Sequence, residues 1–220
     1  MIHRTRLQQG LASALLAFAA LSGAHAQSVL DTGTPSGGLI GGLSISSVNW
    51  MAESFTLAST TNIGSIMAYV NSTDDLDIGQ GFTVALYASK GAAGAQVPDL
   101  SFFADNQNQL HQFTATYTGA GWTGQSGLNW SLGAGTYFVA IETDGNGVQG
   151  LVLPTGGLSQ LPGAVAFYTG GNGYDHDPDA ASDAFGLQVT AAAVPEPTSL
   201  ALLMLGLGAG GLMLRRRHQD

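Results

Sequence analysis

The sequence has no cysteine among its 220 residues. No disulfide can therefore stabilise a fold, and no thiolate can act as a nucleophile or bind a metal ion. Positive charge is also scarce, with 6 lysine and arginine residues against 15 aspartate and glutamate residues. Because most of the basic residues lie near the two ends, residues 27–193 hold only Lys90 against thirteen acidic side chains. So acidic a surface repels phosphate backbones, which excludes nucleic acid as a partner.

Helical periodicity is missing from the middle of the chain. From Trp50 onward, short apolar runs alternate with Gly, Asn, Asp and Pro, and no stretch of about ten residues has apolar side chains at helical spacing. The pattern predicts nine short strands, at residues 50–57, 63–70, 82–88, 110–118, 127–132, 135–143, 148–153, 164–169 and 185–190.

Nine short strands with turn residues between them indicate an all-β fold. We expect an antiparallel β-sandwich, jelly-roll-like, over residues 43–192. The strand at 136–142 is apolar at successive positions, which predicts a central strand covered on both faces. The glycine-rich residues 27–42 are either a flexible leader or an edge strand.

The first 26 residues have the order of a secretory signal peptide. Arg4 and Arg6 come first, an apolar stretch follows, and the small residues Ala24 and Ala26 flank His25. This order predicts cleavage by signal peptidase before residue 27 and export of the rest of the chain. The apolar stretch is far shorter than the ~20 residues that span a bilayer.

Catalytic motifs are missing as well. The sequence has neither G-x-S-x-G nor H-E-x-x-H, and neither His111 nor His176 lies in a nucleophile motif. Glu53 and Glu142 are the best pair for a glycoside-active enzyme, which needs two carboxylates on one groove. Since one sequence cannot show their separation, we expect no enzymatic activity and keep a glycoside-active enzyme as an alternative.

An acidic loop near the end of the domain has the spacing of a calcium site. Asp175, Asp177, Asp179 and Asp183 fall at the first, third, fifth and ninth places of a calcium-binding loop. Ala180 stands where such a loop has glycine, and Gly186 where it has a bidentate glutamate, so an EF-hand is excluded. A looser calcium site and a solvated acidic loop both stay open, and no other cofactor is predicted.

A tryptophan is the main candidate for binding a ligand. Trp122 lies in the glycine-flanked stretch TGAGWTGQSG, which reads as a loop that exposes the ring. An exposed indole can stack on the apolar face of a sugar. Trp50 and Trp130 lie in strand patterns and are expected in the core.

The end of the chain combines three segments. Val194, Pro195, Glu196 and Pro197 form a stretch that the two prolines keep extended. An apolar segment at about 199–214 predicts a single transmembrane helix at the lower limit of length. Arg215, Arg216 and Arg217 follow and would hold the C-terminus in the cytoplasm.

These three segments, in this order at the end of the chain, resemble the PEP-CTERM sorting signal, a tail family also named after the C-terminal region of ice-binding proteins. The resemblance covers residues 193–220. It implies recognition of Pro195, Glu196 and Pro197 by exosortase, transient insertion in the inner membrane, cleavage, and delivery to the cell envelope surface or extracellular matrix.

The sequence therefore predicts an exported, exopolysaccharide-associated protein of the cell surface or biofilm matrix, with a non-enzymatic structural or adhesive role. The alternative is a glycan-binding β-sandwich module that uses Trp122 and calcium. The expected partners are signal peptidase, exosortase and exopolysaccharide or other glycans.

Overall fold

Alternating apolar side chains, separated by turn-forming residues, make the middle of this chain a series of strands. The structure is a computed structural model that describes residues 26–36, 42–100, 108–143, 147–171 and 173–193. Its strands in chain order are β1 (Ser28–Asp31), β2 (Gly42–Ser44), β3 (Trp50–Leu57), β4 (Thr61–Ser72), β5 (Gly81–Lys90), β6 (Val97–Pro98), β7 (Gln109–Thr116), β8 (Gly121–Leu132), β9 (Gly135–Glu142), β10 (Leu151–Pro154), β11 (Val165–Tyr168), β12 (Asp175–His176) and β13 (Leu187–Ala191). A 3-10 turn (Asp75–Asp77) and a short helix, α1 (Ala180–Asp183), are the helical elements of that part of the chain.

The strands form antiparallel sheets. A six-stranded sheet has the order β1-β13-β4-β10-β2, with β8 also pairing with β4. A seven-stranded sheet has the order β12-β11-β3-β9-β5-β6, with β7 also pairing with β5. The prediction of an all-β antiparallel fold is confirmed, and the jelly-roll-like sandwich stays a prediction. Residues Gln27–Ala192 form one compact unit.

Buried apolar side chains fall into a core cluster and an outer cluster. The core cluster has members from both sheets, among them Ile66 of β4 and Ile141 of β9. The outer cluster lies on the other face of the seven-stranded sheet, where Phe138 and Ala140 of β9 meet Leu100 from outside the strands. Strand β9, between β3 and β5, is therefore buried on both faces, as its apolar sequence indicates.

Each of the nine predicted strands overlaps an observed strand, and the residues 50–57 match β3 at both ends. One prediction about Trp122 is wrong. The stretch TGAGWTGQSG was expected to be a loop, but its residues 121–127 belong to β8, where Trp122 pairs with Tyr69 of β4. Pairing along the long strand β4 overrides the local turn signal of the glycines, because strand formation depends on partners that are distant in sequence.

The segment before the predicted domain, residues 27–42, contributes β1 and the first residue of β2. β1 pairs with β13, and β2 pairs with β10 at one edge of the six-stranded sheet. Residues 1–25, most of the predicted signal peptide, lie outside the described residues, as do 194–220 with the predicted helix at about 199–214. Among the residues that the structure describes, no helix is long and apolar enough to cross a membrane.

Candidate functional site

Glu53 is fully buried in β3, and its side chain lies on the core side of the seven-stranded sheet. The backbone N–H of Phe185 donates a hydrogen bond to Glu53 Oε1, while Oε2 is buried without a hydrogen-bond partner. Burial raises the pKa of Glu53 well above its ordinary value, and the bond from Phe185 offsets only part of that rise. Folding therefore favours the protonated, neutral form of Glu53 over the ionised form.

Glu142 lies at the end of β9 and is surrounded by tyrosines. The hydroxyls of Tyr87 and Tyr174 both donate to Glu142 Oε1, at 2.9 and 2.8 Å. Burial raises the pKa of Glu142, and the two tyrosine hydrogen bonds partly offset it. Burial and the neighbouring Glu142 raise the pKa of both tyrosine hydroxyls, so they stay protonated and act as donors.

The structure does not bring Glu53 and Glu142 to one groove. Glu53 pairs across the sheet with Val139, which belongs to the core cluster. Glu142 is three positions further along β9, so strand alternation places it on the opposite face. Its tyrosine partners belong to the outer cluster accordingly. The pair therefore lacks the shared groove that a glycoside-active enzyme would need.

The acidic loop is only partly assembled. Asp177 is 5% exposed, and its Oδ1 accepts a hydrogen bond from the N–H of Asp179 at 2.8 Å. Burial and the neighbouring Asp177 raise the pKa of Asp183 at the end of α1, whereas Asp175 and Asp179 are exposed. Among the described residues, no group of three or more His, Cys, Asp or Glu side chains is placed to hold a metal ion. A looser calcium site and a solvated acidic loop therefore both stay open, and two of the four aspartates, Asp177 and Asp183, line one groove.

These two aspartates line a groove of about 390 Å³. One wall comes from β2, at the edge of the six-stranded sheet, and the other from the adjoining ends of β3 and β11 in the seven-stranded sheet. Trp50, Phe167 and Tyr168 supply aromatic surface. The Trp50 ring stacks on Tyr168 with centroids 4.4 Å apart, and its Nε1 donates to the carbonyl of Thr143 at 3.0 Å. The groove therefore lies where aromatic residues of β3 and β11 come close to two aspartates of the acidic loop.

Trp122 lies on a different part of the domain. Its ring meets Tyr69 edge to face, with centroids 5.5 Å apart, and it is half-buried. Trp130, expected in the core, packs against the core cluster and stacks on His111 at 4.5 Å. A role for Trp122 in ligand binding stays a prediction.

A second acidic segment, around the 3-10 turn, has a structural role. The carboxylate of Asp77 accepts hydrogen bonds from the Ser72 hydroxyl and from the backbone N–H groups of Gln149 and Gly150, at 2.7 and 2.8 Å for the latter two. Burial by itself would raise the pKa of Asp77, but these three hydrogen bonds outweigh it and lower the pKa. Asp77 thus joins the β4–β5 connection to the segment before β10.

Comparison with known proteins bears on the end of the chain. The family model of the PEP-CTERM protein-sorting motif matches residues 193–217. The chain carries a PEP-CTERM sorting motif. Pro195, Glu196, Pro197 and the three arginines lie within the match, although they lie outside the residues that the structure describes. None of the curated proteins matches the chain.

A PEP-CTERM tail implies export and display at the cell surface through exosortase. The motif thus confirms the resemblance that the sequence suggested, and it makes exosortase a partner in sorting. The predicted helix and the orientation by Arg215, Arg216 and Arg217 stay predictions, as does the signal peptide.

Sequence reasoning missed the aromatic groove. Trp50 is the first residue of a predicted strand and was therefore expected in the core. Phe167 and Tyr168 lie in another strand that is distant in sequence. The acidic spacing identified Asp177 and Asp183, but it offered no reason to join them to Trp50. Only the pairing of β3 with β11 places Trp50 opposite Tyr168.

Proposed function

We propose that the mature chain is a non-enzymatic protein of the cell surface or extracellular matrix with a structural or adhesive role. The observation that carries this proposal is the PEP-CTERM motif at residues 193–217, directly after the compact unit Gln27–Ala192. In this arrangement, the compact unit Gln27–Ala192 is the part of the protein that sorting delivers to the cell surface.

Two features of the fold support a structural role. Since the core cluster contains side chains of both sheets, we infer that the sheets pack face to face as a sandwich. Glu53 and Glu142, the best pair for hydrolysis, lie on opposite faces of one sheet and are both buried. A cysteine-free acidic sandwich is soluble and resists redox change, which suits a protein outside the cytoplasm.

Replacing Pro195, Glu196 and Pro197 by alanine tests the sorting step. We expect an uncut precursor in the inner membrane instead of a shortened protein at the surface, because the extended strip that exosortase binds is lost. Intact mass of the protein in each cell fraction measures this directly. As a matched control, Arg215, Arg216 and Arg217 are replaced by lysine, which keeps the charge, and this variant should be processed normally.

An unchanged mature mass at the surface after the alanine substitutions would contradict the proposal, because the tail would then act as an anchor alone. Hydrolysis of a surface polysaccharide by the purified chain, lost in Glu142→Gln, would contradict the non-enzymatic part. The two results are independent of each other.

A further inference from the structure

Two independent boundaries coincide at Gln27. The compact β unit begins at this residue. The small residues Ala24 and Ala26, which end the predicted signal peptide, place the bond to be cleaved directly before it. Removal of the leader therefore makes Gln27 the first residue of the mature chain and turns its nitrogen into a free α-amino group.

The backbone of Gln27 is already part of the six-stranded sheet. Its carbonyl accepts a hydrogen bond from the N–H of Ala191 at 2.8 Å, and the next residue, Ser28, pairs with Thr190 of β13. Gln27 is nevertheless exposed. The mature chain thus begins with a carbonyl that is held by the sheet and a side chain that is open to water.

A glutamine at the start of a chain can react with its own amine. The α-amino nitrogen attacks Cδ of the side-chain amide, so that an N–Cδ bond forms, the Cδ–Nε2 bond breaks, and Nε2 leaves as ammonia with a proton from the amine. The product is pyroglutamate, a five-membered lactam, and the step needs no oxidant or second substrate. Proximity favours it, because both groups belong to one residue. Since α-amino groups titrate near pH ~8, part of them is unprotonated and nucleophilic at neutral pH.

Ring closure is blocked before cleavage and compatible with the fold after it. In the precursor, the nitrogen of Gln27 belongs to the peptide bond with Ala26, and its lone pair is delocalised into that carbonyl. After cleavage, the ring contains N, Cα, Cβ, Cγ and Cδ of Gln27, so the carbonyl that binds Ala191 takes no part. The hydrogen bond to β13 is kept while the amine is consumed.

We propose that Gln27 is a modification site, which cyclises to pyroglutamate after removal of the signal peptide, so that the mature β unit begins with a blocked, uncharged residue. β1 lies at one end of its sheet and pairs with β13, the last strand before the sorting motif at residues 193–217. Aminopeptidases bind a free α-ammonium group, which the lactam lacks, so the ring protects β1 from trimming outside the cytoplasm. This inference goes beyond the proposed surface role and needs only export of the chain.

Labelling of free amines before digestion tests the proposal. The full chain is expressed with its own leader, the exported protein is dimethylated at free amines, and its N-terminal peptide is then identified by mass spectrometry. We expect this peptide to begin at residue 27, to be lighter than the open form by one ammonia, about 17 Da, and to lack the label in at least about nine molecules of ten. Labelling first excludes cyclisation during digestion, because a dimethylated amine has no proton to lose and cannot form the lactam.

Gln27→Asn is the matched control. It keeps a terminal amide, but its side chain is one methylene shorter, so closure would need a strained four-membered ring. The variant should take the label almost completely and unfold at the same temperature as the wild type, since the carbonyl of residue 27 still accepts from Ala191. Incubation with an aminopeptidase should shorten the variant and leave the wild type intact.

A wild-type peptide that begins at residue 27 and is labelled as fully as the variant would overturn the proposal, as would a mature chain that begins at any other residue. Equal resistance of the two proteins to the aminopeptidase would contradict the protective role of the ring. Cell fractionation measures the proposed surface role separately, so a chain that reaches the surface with an open amine contradicts this inference alone.

Discussion

At the scale of single residues, the ionisable side chain of Glu53 lies in the core of the described domain. It is fully buried, and Oε2 has no hydrogen-bond partner there. Its raised pKa means that the folded protein holds a proton which the unfolded chain releases near pH ~4.3. The stability from this proton is fully present below the unfolded pKa and is lost as pH rises through the folded pKa.

We predict that Glu53→Gln matches the wild type in stability at acid pH and exceeds it at alkaline pH by about 1–3 kcal/mol. The amide keeps an acceptor for the Phe185 N–H and never ionises. Urea unfolding across the pH range measures the free energy of unfolding of both proteins. Asp75→Asn, at an exposed position, should leave the wild-type pH profile unchanged. A variant less stable than the wild type at every pH would contradict the neutral state of Glu53.

At the scale of elements, β8 contains a bulge. Ser126 pairs with Ser65 and Trp130 with Ile63, so three residues of β8 lie opposite the single residue Gly64 of β4. The bulge has left-handed backbone at Gly127 (φ 74°) and Asn129 (φ 54°). Its middle residue, Leu128, packs against the core cluster. The bulge therefore turns one apolar side chain toward the core.

We predict that Asn129→Val lowers the free energy of unfolding by about 1–2 kcal/mol, because a β-branched residue is strained in the left-handed region. Asn129→Gly should stay within about 0.5 kcal/mol of the wild type. Thermal unfolding of both variants measures the difference. Ser126→Val serves as the control on the same strand, and an equal loss there would show that the effect is unrelated to the bulge.

Asp77 joins two connections through hydrogen bonds to backbone groups. Because its pKa is lowered in the folded protein, the stability it contributes is present above the unfolded pKa and is lost as pH falls through the folded pKa. We predict that Asp77→Asn costs about 1–3 kcal/mol at neutral pH, since its amide group would face backbone N–H donors.

The stability gap between wild type and Asp77→Asn should close as the solution is acidified, which urea unfolding at neutral and acid pH measures. Asp75→Asn in the same 3-10 turn is the matched control and should have little effect, because Asp75 is exposed. A gap that is constant with pH would mean that the carboxylate charge of Asp77 does not contribute.

At the scale of the whole molecule, the excess of acidic residues controls the response to salt. Like charges on a compact domain repel one another, and dissolved ions screen that repulsion within about 8–10 Å at physiological ionic strength. Added salt should therefore stabilise the domain. Since Asp175 and Asp179 are exposed and no group of three or more His, Cys, Asp or Glu side chains in the described residues is placed to hold a metal ion, we expect no strong specific calcium site.

We predict that calcium chloride and sodium chloride of equal ionic strength raise the unfolding temperature by about the same amount. Differential scanning calorimetry of the full chain measures both, with magnesium chloride as the control for divalent charge. A larger rise with calcium, lost in Asp183→Asn, would instead establish calcium binding at Asp177 and Asp183.

The sequence by itself determined the strands, the acidic surface and the sorting motif at the end of the chain. The short apolar runs that form β3 and β9 are local patterns, and the sorting motif is recognised in the linear sequence at residues 193–217. The local pattern predicts that Glu53 and Glu142 lie on strands. It does not determine which face of each strand packs against the other sheet.

Tertiary structure alone decided which side chains meet. The pairing of β3 with β9 and β11 buried Glu53, placed Glu142 among tyrosines and set Trp50 on Tyr168. The pairing of β8 with β4 made Trp122 a strand residue, although the glycines around it indicated a loop. These contacts join residues far apart in the chain, and their energies depend on packing that no local pattern encodes.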